Sequence, residues 1–234
     1  GNARVLVTMK HVGVNVAADV LFTAAYTGVS GALVLVSADD PGMASSQNEQ
    51  DNRRFAVAAG VPMFEPSDSQ EAYDYFIQAI KVSERWKLPV MLRMTTRVCH
   101  SKTVVHRRKI TSPAPKPTFE RDIRGRVMIP SNARPAHRRL RARLAEINLW
   151  NEQSELNTVS EQAANTYDLG IITSGISYVH AREAAPEARI LKLAMTYPLP
   201  FERIRQFAVG AQRCVVIEEG DPYLVDAIRA AGIH

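Results

Sequence analysis

The chain has 234 residues, of which 46% are hydrophobic and 23% charged, a composition typical of a globular protein with one large or two small domains. It has no apolar run near the roughly 20 residues of a membrane-spanning helix, and its first residues lack the regions of a signal peptide. Its two cysteines, Cys99 and Cys214, are too few for a four-iron cluster and form no CxxC pair, so we predict buried free thiols of a cytoplasmic protein.

The net charge of +5 is unevenly distributed. Between Lys102 and Arg143, 13 lysines and arginines accompany only two acidic residues, a local charge of +11, whereas the rest of the chain carries −6. A basic segment can indicate nucleic-acid binding. This one lacks interleaved aromatic residues, a zinc pattern and an RNP-like stretch. We therefore predict a connector that lies over its own acidic protein.

Predicted strands and helices alternate through the first hundred residues. Short apolar runs with β-branched residues predict buried strands at 4–9, 32–37, 61–64 and 90–95. A helix at 15–26 should carry Val16, Val20 and Ala24 on one face. A second helix should begin at residues 67–69, bury an apolar face that ends at Trp86, and stop before Pro89. The alternation predicts a parallel sheet with helices on both faces.

Residues 106–135 interrupt this alternation with five prolines, Pro113, Pro115, Pro117, Pro130 and Pro135, and few apolar residues. The composition predicts a connector without regular structure. A basic amphipathic helix should follow from Arg138 to Leu156, with an apolar face formed by Leu140, Leu144, Ile147 and Leu149.

The last third of the chain resumes the alternation. Strands are predicted at 169–173, 190–193 and 213–217, and helices at 177–185, 201–209 and 224–231. We therefore expect an α/β fold in three parts: a parallel-sheet domain at 1–105, a basic connector with a helix at 106–158, and a smaller α/β domain at 159–234.

Two segments of the first domain combine polar chemistry with a position after a strand. In the first, Lys10 to Gly13, His11 could move a proton or bind a substrate oxygen, Gly13 could admit a close ligand, and helix amides could meet an anion. A histidine that merely caps a helix or pairs locally is the alternative. The second segment, residues 45–54, is a long polar loop after a strand, and such loops usually carry function. For Arg54, the better interpretation is a solvated position at the start of a helix.

Because the strand ends of a parallel sheet share one edge, we expect His11 and the loop at 45–53 to lie together at the carboxyl edge. Neither His11 nor Arg53 is expected to be part of the core.

Several unusual strings resemble indolepyruvate ferredoxin oxidoreductase, alpha subunit, of the 2-oxoacid:ferredoxin oxidoreductase superfamily. They are TMKHVGVNVAAD (8–19), SADDPGMASSQNEQDNR (37–53), EPSDSQEA (65–72), RMTTRVCHS (93–101), VMIPSNARPAHRRL (127–140), GIITSGISY (170–178) and LKLAMTYPLP (191–200). The resemblance covers nearly the whole chain. It implies a partial pyrimidine-binding domain of a thiamine-diphosphate (TPP) enzyme, followed by a transketolase-C-terminal-like domain.

For the intact enzyme, the resemblance implies oxidative decarboxylation of aryl pyruvates such as indolepyruvate to arylacetyl-CoA. The expected cofactors are TPP with magnesium and iron–sulfur clusters. The expected partners are a beta subunit, ferredoxin and further alpha subunits, with no nucleic acid and no membrane, and the expected location is the cytoplasm.

The resemblance also implies roles for individual residues. His11 would be catalytic, Lys10 and Gly13 would contact the cofactor, and the substrate would meet Asn15, Asn48, Gln50 and Arg53. The fork of Arg53 would match a 2-oxoacid carboxylate. No residue is predicted to bind a metal.

The activating glutamate and the magnesium–diphosphate domain of this family are expected outside the chain. Gly220-Asp221-Pro222 is not the family's Gly-Asp-Gly motif, because Pro222 replaces the second glycine. We expect the chain alone to be inactive and to bind no TPP with useful affinity. Two alternatives stay open: a non-catalytic docking fragment, and a related enzyme with another 2-oxoacid substrate.

Overall fold

The computed structural model describes residues 2–108, 116, 118–160 and 167–233. Two sheets organise these residues. The first contains five strands in the order β1-β2-β4-β3-β8: β1 (Arg4–Lys10), β2 (Ala32–Asp39), β3 (Met63–Phe64), β4 (Pro89–Thr95) and β8 (Met195–Tyr197). Strands β1 to β4 run parallel, and β8 pairs antiparallel with β3.

The second sheet has the order β5-β7-β6-β9, with β5 (Thr158–Val159), β6 (Tyr167–Ser174), β7 (Arg189–Leu193) and β9 (Ala211–Ile217). β6 runs parallel to β7 and β9, and β5 is antiparallel to β7. The helices in chain order are α1 (His11–Val16), α2 (Ala18–Thr27), α3 (Asn52–Ala59), α4 (Ser69–Trp86), α5 (Thr96–His100), α6 (Ile123–Arg126), α7 (Pro130–Glu152), α8 (Ser177–Ala184), α9 (Phe201–Val209) and α10 (Leu224–Ala230). The predicted α/β class with mainly parallel sheets is confirmed.

Helix α4 shows how the local sequence sets an element. The side chain of Asp68 accepts a hydrogen bond from the Glu71 backbone N–H at 2.8 Å and caps the helix start. Lys87 adopts a left-handed conformation at the other end. Between these ends the helix buries Tyr75, Ala79, Val82, Ser83 and Trp86, and it packs on β2 and β4.

Two predictions for the first 30 residues were wrong. β1 is an edge strand instead of a buried one, and its Val5 and Leu6 are 46% and 51% exposed. The predicted helix at 15–26 is two helices that meet at Ala17. Val16 and Val20 are exposed, and the buried face is formed instead by Val14, Leu21 and Ala25.

The basic segment is more regular than its prolines suggested. α7 begins at Pro130, where a missing N–H costs nothing, and it continues through Pro135. Pro113, Pro115 and Pro117 lie outside the described residues. The predicted Leu140, Leu144 and Ile147 are buried, whereas Leu149 is exposed.

The two sheets share one apolar core, which α7 helps to build. The cluster includes Val34 and Met91 of the first sheet and Leu191 of the second, together with Ile147 of α7. The domain boundaries at 105 and 158 stay a prediction. Strand β8 lies beyond residue 158 but pairs with β3, so the last part of the chain contributes a strand to the first sheet.

The prediction of two buried thiols was wrong, because Cys99 is exposed and Cys214 is only half-buried. Among the described residues, no helix combines the length and apolarity that crossing a membrane requires.

Candidate functional site at the carboxyl edge of the first sheet

His11 and the polar loop after β2 meet at one edge of the first sheet. The register pairs Lys10 with Ala38 and Asp39 with Thr95, so the ends of β1, β2 and β4 are level. His11 begins α1 directly after β1, and its Nε2 lies 3.1 Å from the backbone oxygen of Asn48. The predicted convergence of His11 and this loop is confirmed.

The hydrogen bond fixes the chemistry of the His11 ring. A carbonyl oxygen can only accept, so Nε2 carries the proton when this bond forms, and Nδ1 of the neutral ring is an acceptor. Nδ1 is buried and has no partner in the part of the chain that the structure describes. His11 itself is fully buried because the loop folds over it, which contradicts the prediction that it lies outside the core.

Two further side-chain oxygens beside His11 are buried without a partner among the described residues, Oε1 of Gln50 and Oδ1 of Asn52. The Gln50 amide donates to Oδ1 of Asn48 at 2.9 Å, and the Asn52 amide donates to Oγ of Ser37 at 2.7 Å and to the His11 oxygen at 3.5 Å. Buried polar atoms are normally hydrogen-bonded. The edge therefore offers acceptors to a group that bears N–H or O–H.

Asp40 holds the loop in place. Its carboxylate accepts hydrogen bonds from Oγ of Ser46, from N of Ser45 at 2.8 Å, and from Oγ1 of Thr96 at 2.7 Å. These bonds keep the pKa of Asp40 well below its usual range, with the Ser46 hydroxyl as the largest cause. The sequence indicated only a turn at this position, so the role of Asp40 was missed.

The other residues predicted near His11 occupy varied positions. Lys10 is exposed and donates from Nζ to the Ser45 oxygen at 3.2 Å. Gly13 lies inside α1, where an added Cβ would come within 3.1 Å of Cβ of Met9, so its small size serves the packing of α1 on β1. Asn15 and Asn48 are exposed. The structure thus brings Lys10, Asn48 and Gln50 to the His11 edge and leaves Asn15 on the outer face of α1.

Arg53 is buried instead of open to a substrate. Only 1% of it is exposed, and its Nε and Nη2 contact the Asp51 carboxylate at 2.9 and 2.7 Å. Nη1 binds Oε2 of Glu218 at 2.8 Å, and Nη2 also donates to the backbone oxygen of Asp221 at 2.9 Å. The predicted contact with a substrate carboxylate does not fit this geometry, because two carboxylates of the protein already occupy the fork. Burial lowers the pKa of Arg53, but Asp51 and Glu65 outweigh that and raise it.

Arg93 completes a buried charged cluster, which we call the arginine joint: Asp39, Asp51, Arg53, Glu65, Arg93 and Glu218. The guanidinium of Arg93 contacts Asp39 at 2.6 Å and Glu65 at 2.5 Å. Burial lowers the pKa of Arg93, but these carboxylates raise it overall. Asp39 in turn accepts from N of Asn52 at 3.1 Å, and Asn52 contacts His11. The arginine joint thus holds Asn52 through Asp39, and Asn52 in turn contacts His11.

The joint also connects the two sheets. Glu218 follows β9 and accepts hydrogen bonds from the backbone N–H groups of Tyr223, Leu224 and Val225, so it caps α10 while it pairs with Arg53. The Arg53 guanidinium lies 5.0 Å from the centre of the Tyr223 ring. The charged residues Arg93 and Asp39 at the ends of otherwise apolar strands were the sequence signal for this cluster.

A second polar contact links the sheets through Lys192 of β7. Its Nζ donates to Oγ of Ser67 at 2.8 Å, contacts the Glu71 carboxylate, and lies 4.4 Å from the centre of the Tyr178 ring. Burial raises the pKa of Glu71, but the charge of Lys192 outweighs that and lowers it.

The chain is similar to part of one subunit that is found in several known proteins. It is 42% identical over 235 residues to the indolepyruvate oxidoreductase subunit IorA of Archaeoglobus fulgidus, covering 98% of the chain and 37% of that protein. The IorA subunits of Methanothermobacter thermautotrophicus and Pyrococcus abyssi are 41% and 34% identical over 92% and 97% of the chain. The chain spans 35–37% of the length of these relatives. The resemblance stated from the sequence strings is confirmed.

The fold has a counterpart among solved structures. A 2-oxoglutarate:ferredoxin oxidoreductase from Magnetococcus marinus, with 2-oxoglutarate, coenzyme A and succinyl-CoA bound, superimposes with a TM-score of 0.72 at 15% identity. The match covers 96% of this chain and 48% of that one, and it supports the α/β arrangement. No family model matches the chain.

Proposed function

The chain corresponds to a section of the indolepyruvate oxidoreductase subunit IorA, and we propose that it forms part of a 2-oxoacid:ferredoxin oxidoreductase. The proposed reaction is the oxidative decarboxylation of aryl pyruvates such as indolepyruvate to arylacetyl-CoA, with ferredoxin as electron acceptor. The proposed setting is the cytoplasm, in an assembly of several alpha subunits with a beta subunit. The observation that carries the proposal is 33–42% identity to IorA subunits along 92–98% of the chain.

The cofactor proposed for the complete enzyme is TPP with magnesium, besides iron–sulfur clusters. When bound, TPP supplies the carbanion chemistry of decarboxylation. The described residues do not offer its diphosphate anchor: they contain no group of three His, Cys, Asp or Glu suited to a metal. At Gly220-Asp221-Pro222, the Asp221 backbone oxygen accepts from Arg53. We propose that other parts of the subunit provide the anchor, so no step through TPP follows from this chain.

The His11 edge is the part of this chain that we propose to face the reaction. The neutral ring presents Nδ1, which can accept a proton or a hydrogen bond from a reacting hydroxyl. The loop pinned by Asp40 covers His11 and excludes water from it. Gln50 and Asn52 add two acceptors at the same edge. We propose that His11 is the catalytic residue of this section and that Lys10, Asn48 and Gln50 lie beside the cofactor or substrate; Gly13 and Asn15 are left out of this proposal, because Gly13 packs against Met9 and Asn15 faces outward.

The test uses the complete subunit that contains this section, co-expressed with its partner subunit. Reduction of ferredoxin should require both indolepyruvate and coenzyme A, and indolepyruvate should be used faster than pyruvate or 2-oxoglutarate. His11→Gln should lower turnover by about 100-fold or more, the range typical of a lost acid–base group. His106→Gln is the matched control, because His106 is exposed on the segment after α5.

Three outcomes would contradict parts of this proposal. A preference for another 2-oxoacid would retain the enzyme class and reject the substrate. Unchanged turnover in His11→Gln would reject the role of His11. A complex that binds its partner but reduces no ferredoxin with any 2-oxoacid would favour a non-catalytic docking function.

A further inference from the structure

A cleft lies at the amino edge of the first sheet, opposite the His11 edge. The loop between α2 and β2, the end of α4, the segment 119–127 and α7 surround it. It has two adjoining chambers of about 510 and 710 Å³ that share the loop at 28–31. Each volume falls within the roughly 300–1,000 Å³ of ordinary small-molecule pockets. None of the residues proposed above for catalysis lines it.

The larger chamber is rich in positive charge. Its lining carries five cations, Arg4, Lys87, Arg126, Arg139 and Arg143, and three carboxylates, Glu84, Glu120 and Asp122. Arg4 and Glu84 form an ion pair at 2.6 Å and offset each other. Four cations and two carboxylates remain. The chamber therefore favours an anion.

Three of these cations are held in place by neutral groups. Nη1 of Arg126 donates to the Gly28 oxygen at 2.8 Å, Nζ of Lys87 donates to the Ser30 oxygen at 3.1 Å, and Nη1 of Arg143 donates to the Lys87 oxygen at 3.3 Å. Backbone oxygens position a cation and leave its full charge in the chamber. Such preorganised donors suit a bound phosphate.

Arg139 and Arg143 both line the larger chamber and repel one another. They stand one turn apart on α7, where like charges destabilise a helix. Arg139 has no hydrogen bond or ion pair in the described part of the chain. The pKa of Arg143 is lowered, first by burial and then by the charge of Arg139. A bound anion would offset the repulsion between the two guanidinium groups and oppose the lowering of the pKa of Arg143.

The smaller chamber is lined mainly by apolar residues, besides the charged Glu120, Arg121, Asp122 and Arg126. Val5 and Leu33 come from β1 and β2, Val29 from the loop at 28–31, and Phe119, Ile123 and Val127 from the segment 119–127. Phe119 is 88% exposed, so it offers a free aromatic face beside the charged chamber. An apolar planar group could be covered here while an attached anion contacts the arginines.

We propose that this cleft binds a nucleoside diphosphate, with the phosphates against Lys87, Arg126, Arg139 and Arg143 and the base in the apolar chamber beside Phe119. Arginine forks match phosphate oxygens in pairs, and the adjoining apolar chamber explains why the ligand carries a planar body. An acidic peptide would use the cations and leave the apolar chamber empty.

Calorimetric titration of the full 234-residue chain with ADP tests the proposal. The expected dissociation constant at about 0.1 M salt is below about 1 mM. Arg139→Gln and Arg143→Gln should each weaken binding about tenfold or more, the value of a lost charge-assisted contact. Arg138→Gln is the matched control, since Arg138 is an exposed neighbour on α7 outside the lining and should leave binding unchanged.

Two probes separate the chambers. Adenosine lacks the phosphates and should bind at least about tenfold more weakly than ADP. Phe119→Ala should weaken ADP but leave pyrophosphate unaffected. No ADP binding at several millimolar would overturn the proposal. So would equal losses in Arg138→Gln and Arg139→Gln, which would indicate general attraction to the basic segment. A poly-glutamate peptide that binds through Arg139 when ADP does not would assign the cleft to an acidic protein segment instead.

Discussion

Replacing Arg53 by methionine should strongly destabilise the protein. Methionine retains the apolar stem but removes the guanidinium from between Asp51 and Glu218, whose side chains are 11% and 8% exposed. Breaking a buried ion pair by removing one partner costs about 3–5 kcal/mol, because the other charge stays buried without compensation. Total stability is commonly about 5–15 kcal/mol, so this single change should remove a large share of it.

The next residue provides the control. Arg54 contacts Asp226 at 3.4 Å, and both side chains are more than half exposed, at 55% and 56%. A pair of this kind contributes at most about 1 kcal/mol. Arg53→Lys should fall between the two, since lysine retains the charge and loses the fork that serves Asp51, Glu218 and the Asp221 oxygen.

Urea unfolding at pH 7, followed by circular dichroism and tryptophan fluorescence, measures these differences. Trp86 and Trp150 report well, because their rings lie 5.6 Å apart between α4 and α7. The expected order of unfolding free energy is wild type, Arg54→Met, Arg53→Lys, Arg53→Met. If Arg53→Met and Arg54→Met differ by less than about 1 kcal/mol, the joint does not stabilise the fold as described.

Four further predictions concern other parts of the fold. Asp68→Ala should cost about 1 kcal/mol in thermal unfolding, whereas Asp68→Asn, which can still cap α4, should be nearly neutral. The pKa values of Asp51 and Glu71 are lowered in the folded state. The stability that these two carboxylates contribute should therefore be full above about pH 4 and lost as the pH falls through their folded pKa values. A decline in unfolding free energy already between pH 7 and 5 in urea titrations would implicate other groups. Asp40→Ala should speed amide hydrogen exchange at Ala44 and Ser45 while the urea midpoint changes little; equal protection in both proteins would disprove its role. Nitrogen NMR at pH 8 should show His11 with the proton on Nε2, and a proton on Nδ1 would exclude the bond to Asn48.

The local sequence was sufficient for elements whose signals agree with one another. The strand at 32–37 and the helix that begins after Asp68 were predicted because apolar period, flanking turns and capping residues all indicate the same element. The common edge of His11 and the polar loop followed from topology alone.

Features that depend on distant neighbours could not be predicted. β1 is apolar enough for a central strand, but its position at the sheet edge is set by which strands pair with it. Arg53 was read as an open cation because its partner Glu218 lies 165 residues further along the chain. His11 was expected outside the core because no local pattern indicates that the loop after β2 folds over it.

The pairing of β3 with β8 has a consequence for how the chain acquires its shape. Met63 pairs with Tyr197 and Phe64 with Met195. The first sheet therefore gains its last strand only after well over a hundred further residues have been synthesised, roughly 7–25 s at about 5–20 residues per second. During that interval the outer edge of β3, with two residues that end up fully buried, has no strand beside it. Such distant pairing slows folding, so we expect the first sheet to mature together with the second and not before it.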